Sequence, residues 1–183
     1  VEARSYDDAA GRRRLSLATR SDLSIEAQVT ASGATWLDRQ LLAKDPPLSG
    51  GGFGAEVRDA MEARIDHLAE EGLARRQGQR VVFARDLLAT LRRRELEDAA
   101  AKLSVETGLA YQPAVEGERV SGVHRQRVTL ASGRFAMIDD GLGFQLVPWR
   151  PALEKELGRE VRGVIAPGGN VDWNFGKKRG LGL

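Results

Sequence analysis

From Arg119 onward the chain is cut by turn signals so closely spaced that mostly short strands fit between them. Ala131-Ser-Gly133, Asp139-Asp-Gly141 and Pro167-Gly-Gly-Asn170 are the cuts. Glycine with Pro, Asp, Asn or Ser at these points is turn chemistry. Between them, β-branched and aromatic residues predict strands over Arg119–Leu130, Arg134–Ile138, Gly143–Pro148, Val161–Ile165 and Val171–Phe175. A short helix is predicted over Pro151–Leu157, because proline suits the first helical position. Three strands, a helix and two strands is the order of an OB-type barrel, with an SH3-like barrel as the near rival.

Upstream the period changes from two to 3.6. Trp36, Leu37, Gln40 and Leu41 predict a first helix over Ala34–Lys44, capped by Thr30 or Ser32. Asp45-Pro-Pro-Leu-Ser-Gly-Gly-Gly-Phe-Gly54 must interrupt it. Val57, Met61, Ile65 and Leu68 form one apolar stripe of a second helix, with Gly72 where a C-terminal cap glycine belongs. Leu73–Phe83 predicts a hairpin turning at Gln77-Gly78. A third helix runs from Arg85-Asp86 to before Gly108, roughly 30 Å at ~1.5 Å per residue.

The expected fold class is therefore α+β: a winged-helix-like helical domain joined by a long helix to a small five-stranded OB/SH3-like β-barrel. The expected divisions are an N-terminal arm over residues 1–30, the helical domain over 31–110, the barrel over 111–176 and a basic tail over 177–183. Val1-Glu-Ala-Arg reads as an artificial boundary or as a cut inside a longer protein, with no leader pattern. The chain has no cysteine, which excludes disulfides and thiolate metal sites and fits a cytoplasmic location. No apolar run reaches ~18 residues, so no membrane insertion is expected.

Net charge is +2, unevenly placed. Residues 119–183 hold eleven Lys/Arg against six Asp/Glu, while residues 1–118 hold seventeen against twenty. The C-terminal part is the better match to a polyanion. The candidate DNA-binding residues are Arg75, Arg76 and Arg80 on the hairpin, Arg125 and Arg127 on the first long strand, Trp149 and Arg150 at a strand end, and Lys177, Lys178 and Arg179 in the tail. Arg92-Arg93-Arg94 fans over a helix, so at least one must snorkel or pair with an acid such as Glu95 or Glu97.

Catalytic and metal chemistry find little footing. The chain has two histidines, His67 and His124, too few for a three-histidine site. A solvated or satisfied histidine is the simpler reading of each. Asp139-Asp140 precedes a turn glycine, so a hairpin tip accounts for the pair more simply than a cation. Gly50-Gly-Gly-Phe-Gly54 lacks the Lys-Ser/Thr of a phosphate loop and reads as a linker. No cofactor is expected.

Ala34-Thr-Trp-Leu-Asp-Arg-Gln-Leu-Leu42, Glu70-Glu-Gly-Leu-Ala-Arg-Arg-Gln-Gly-Gln-Arg80, Ala131-Ser-Gly-Arg-Phe-Ala-Met-Ile-Asp139, Gly143-Phe-Gln-Leu-Val-Pro-Trp149 and Phe175-Gly-Lys-Lys-Arg-Gly180 carry a resemblance. Over most of residues 28–183 the chain resembles the C-terminal region of plasmid and integrative-element conjugative relaxases, the mobilization nucleases. Those enzymes nick one strand at the transfer origin with a tyrosine nucleophile and a histidine-rich metal site, in a domain N-terminal to this region. Tyr6 and Tyr111 are the only tyrosines here, and neither adjoins a histidine cluster. The resemblance therefore implies a non-catalytic accessory module, with DNA or the relaxosome and type IV secretion proteins as partners.

Overall fold

In the computed structural model the described residues are 2–7, 12–18, 21–43 and 52–175. They fall into two units, Val1–Glu95 and Leu96–Leu183, with the boundary inside one helix.

The N-terminal unit begins with an antiparallel ribbon. β1 (Glu2–Asp7) pairs with β2 (Arg13–Ala18), Glu2 opposite Ala18 and Asp7 opposite Arg13. Neither strand is legible from periodicity alone. α1 (Ile25–Val29) starts at Ser24, whose hydroxyl accepts the Ala27 N–H. α2 (Trp36–Leu42) starts at Thr35, one turn later than the predicted caps. Thr35 Oγ1 accepts the Asp38 N–H, and Asp38 Oδ2 accepts the Thr35 N–H at 2.7 Å. This reciprocal box satisfies two backbone donors that a helix start leaves unpaired.

α3 (Phe53–Glu70) turns Val57, Ile65 and Leu68 inward, with Met61 half-buried. It stops as its sequence predicts. Gly72 takes φ of 71°, a left-handed conformation costly for other residues, and its N–H returns to the Ala69 carbonyl. Leu73 N–H bonds the Leu68 carbonyl at 2.8 Å and sends the chain into the predicted hairpin, β3 (Ala74–Gln77) and β4 (Arg80–Phe83). α4 (Leu87–Thr107) follows. Leu68, Leu73, Leu87 and Leu91 form one apolar cluster, and Leu37, Val57 and Ala60 another.

One charged residue of α3 is enclosed in this unit. Arg64 is fully buried. Its guanidinium binds both oxygens of Asp38, at 2.9 and 3.0 Å. It also donates to the carbonyls of Val29 (3.0 Å), Ala31 (2.6 Å) and Gly33 (3.0 Å). All five guanidinium donors are thus engaged, and the α1–α2 connection is wrapped around one side chain.

The C-terminal unit is built on a six-stranded sheet ordered β10-β9-β6-β7-β8-β5. Its strands are β5 (Ala110–Tyr111), β6 (Arg119–Leu130), β7 (Gly133–Asp139), β8 (Gly143–Pro148), β9 (Glu160–Ile165) and β10 (Val171–Trp173). β5 joins β8 in parallel; every other pairing is antiparallel. The predicted short helix is present as a 3-10 helix, Pro151–Glu156. Alternation divides the strands between two apolar layers. Val120, Ala136, Ile138, Val147, Val161 and Ile165 gather with Leu153 of the turn. Met137, Phe144 and Leu146 pack with Ala100 and Leu103 of α4.

The five strands expected from the turn spacing are present in the expected order, but the barrel is not closed. Closure requires the first and last strands of the sheet to pair with each other in a fixed stagger. Among the described residues the edges are β10, three residues long, and β5, two residues long, and each bonds only to its inner neighbour. The sheet is open and gains a sixth strand, β5, too short for any periodicity to announce.

Candidate functional site

β6 is irregular where its candidate residues lie. Val123 pairs with Asp139 and His124 with Ile138, but Gln126 pairs with Met137, leaving Arg125 as an extra residue. Such a bulge reverses which residues face which side. Before it, Val120 lies in the layer of Ala136 and Ile138, and Gly122 and His124 share its buried parity. After it, Gln126 Nε2 meets Met137 Sδ at 3.6 Å and Val128 packs in the opposite layer. Arg127 therefore emerges on the side of His124. Simple alternation would place these two, three residues apart, on opposite faces.

Gly122 shows how tightly the strand is bent here. A Cβ at this position would lie 2.3 Å from the Asp139 carbonyl oxygen, so no larger residue fits without displacing the backbone.

His124 is held by its backbone. Its N–H donates to the Arg159 carbonyl at 2.9 Å, and its carbonyl accepts the Gly158 N–H at 2.8 Å. Its side chain is 1% exposed, yet neither Nδ1 nor Nε2 has a hydrogen-bond partner. The expectation of a solvated or satisfied histidine fails on both counts. An enclosed polar group without a partner costs ~1–3 kcal/mol, and native structures contain few. Trp149 Nε1, also enclosed and unpartnered, is the second such group at this place.

A cavity of about 240 Å³ lies beside them, walled by His124, Arg125, Arg127, Trp149, Glu154 and Leu157. The Arg127 guanidinium sits 5.2 Å from the centre of the Trp149 ring, a cation–π layer. Arg127 Nη1 also makes a long 3.4 Å contact to Glu154 Oε2. Trp149 packs against the apolar layer that contains Leu153.

The other candidate residues divide sharply. Arg125, though it lines the cavity, is engaged by Asp139, Nε to Oδ2 at 2.9 Å. The second Asp139 oxygen accepts the Gly141 N–H at 2.7 Å, and Asp140 Oδ1 accepts the N–H groups of Leu142 and Gly143. These carboxylates thus shape the predicted turn. Among the described residues, no cluster of three or more His, Cys, Asp or Glu side chains is placed to hold a metal ion. Arg150 is exposed at the start of the 3-10 turn. Arg75, Arg76 and Arg80 lie exposed on the β3–β4 hairpin of the other unit. Arg76 is held between Asp66 (2.8 Å) and Glu62 (3.0 Å) of α3, and these bonds raise its pKa above the ordinary arginine value. Lys177, Lys178 and Arg179 lie outside the described residues.

Of Arg92, Arg93 and Arg94, the first is half-buried. Its pKa is lowered by burial and by the charge of Arg39. Arg94 reaches Glu71 at 3.2 Å. Glu154 and the enclosure of His124 beside the cavity are the parts that strand periodicity does not reveal. The nearest sequence signal is His124 standing just ahead of Arg125 and Arg127 on a strand.

A family model described as a protein of unknown function, DUF3363, matches residues 1–182. The chain belongs to the DUF3363 family. No curated protein and no solved structure matches it. In this DUF3363 chain no described helix is long and apolar enough to cross a membrane.

Proposed function

We propose that this DUF3363 chain is a non-catalytic accessory module of a conjugative relaxase and binds DNA during plasmid mobilization. The observation that carries the DNA reading is the Arg127–Trp149 layer beside an enclosed, unpartnered histidine. Aromatic rings and arginine planes are what single-stranded nucleic acid stacks on. The relaxase context rests on the sequence segments quoted above. The finer fold reading, a winged-helix-like N-terminal unit and an OB- or SH3-related sheet, belongs to the same proposal. It is supported by the helix–hairpin order of the first unit and the strand order of the second.

The test is fluorescence anisotropy of the whole chain with labelled single-stranded and duplex DNA over a series of salt concentrations. The reading expects micromolar or tighter binding that weakens with salt. Absence of binding at low salt would sink it.

A second reading is favoured by one observation. Arg76, central in the hairpin, is neutralised by Glu62 and Asp66. A hairpin whose basic residue is already paired suits protein contact better than phosphate contact. This supports a module that recruits the relaxase to type IV secretion or relaxosome proteins.

A further inference from the structure

The cavity beside His124 has a size and a set of hydrogen-bonding groups that narrow what can enter it. At about 240 Å³ it has room for several waters, each taking ~30 Å³. It falls short of the ~300–1,000 Å³ usual for drug-sized ligands. Its wall offers donors and acceptors together. Arg127 supplies several donors and the Glu154 carboxylate accepts, while the ring nitrogens of His124 and Trp149 lie enclosed behind them. The 3.4 Å contact to Arg127 is long enough to leave the Glu154 carboxylate, on an exposed side chain, open to a better donor.

A bare phosphate fits this set poorly. It presents acceptors alone and would meet the charge of Glu154. A flat ring with both donors and acceptors on its edge fits, and it would extend the Trp149–Arg127 stack. Carboxylates read bases through exocyclic amino groups, as when Glu or Asp accepts from the cytosine amino group.

We propose that this cavity receives one unpaired nucleobase of a single DNA strand, with Glu154 selecting bases that carry an exocyclic amino group. The inference rests on the DNA-binding reading above and makes it more specific.

Deoxycytidine and deoxyuridine homopolymers of ~12 nucleotides separate the two claims, being nearly equal in size and different at the amino position. Anisotropy of the whole chain with each, at one salt concentration, is expected to favour the cytidine strand by about tenfold. Glu154→Gln, at an exposed position that should not disturb folding, is expected to erase most of that preference, because the amide can donate to the uridine carbonyl as well as accept from the cytidine amino group. Equal affinity for both strands, unchanged by Glu154→Gln, would overturn the base pocket and leave DNA binding standing. Binding to neither strand would overturn both.

Discussion

Arg64 and Asp38 meet as a two-point ion pair with both side chains fully enclosed, Nε 2.9 Å from Oδ1 and Nη2 3.0 Å from Oδ2. Asp38 also closes the capping box of α2, so one carboxylate serves a helix start and a buried cation at once. Removing one member of such a pair strands the other. Asp38→Asn keeps the shape and removes the charge, and should destabilise the N-terminal unit by ~3–5 kcal/mol. Urea unfolding followed by circular dichroism measures this. A loss below ~1 kcal/mol would mean that the carbonyls of Val29, Ala31 and Gly33 suffice for Arg64.

His124 should show the opposite sign. Replacing an enclosed, unpartnered ring by an apolar one of similar size removes a desolvation cost. His124→Phe is therefore expected to raise stability by ~1 kcal/mol while weakening DNA binding. Thermal unfolding and anisotropy on the same sample check both halves. A variant that is stabilised and binds normally would detach His124 from function.

Arg125 and Arg127 are alike in sequence and unlike in engagement. Arg127→Ala removes the layer over Trp149 and should weaken single-stranded DNA binding by about tenfold, the lower end of a stacking contact. Arg125 is occupied by Asp139, so Arg125→Ala should change affinity much less. Equal losses from the two would mean that only net charge matters.

On the hairpin, Arg76→Ala alone should leave the salt dependence of duplex binding unchanged, because Glu62 and Asp66 already hold that cation. Removing Arg75 and Arg80 together should lower the slope of log affinity against log salt by up to ~1.8, if each meets one phosphate. A slope that does not move would point the hairpin toward a protein partner.

Tyr111 gives a pH signature. Burial, then the nearby charge of Glu97, raises its phenol above the ordinary value of 10.0. The folded state therefore favours the neutral, protonated form. That contribution is fully present below about pH 10 and is lost as pH rises through the raised value. Near-ultraviolet titration should find a tyrosine ionising late, and Tyr111→Phe should remove that step.

What could be read from sequence follows from what repeats. β6 and β8 fall on the predicted residues because turn glycines and β-branched residues bound them, and Gly72 ends α3 because only its conformation fits there. Arg64 was out of reach: on a helix, an arginine next to an apolar stripe has the same signature whether it is solvated or enclosed. β5 is two residues long and has no period. The pocket escaped for a different reason. Period-two reasoning groups Arg125 with Arg127 and sets His124 apart, and the bulge rearranges that grouping. Glu154 enters through a 3-10 turn whose contacts no local pattern encodes.

The bulge at Arg125 also makes this pocket a matter of counting. On a regular ladder without the bulge the present three-residue spacing would turn Arg127 away from His124, whereas loss of Arg125 would remove the bulge and leave the two, now two residues apart, on one face. What brings the two side chains together is thus the register of β6 against β7 and not the side chain of the extra residue. For this strand, pairing register decides which groups meet before the identity of any one of them matters.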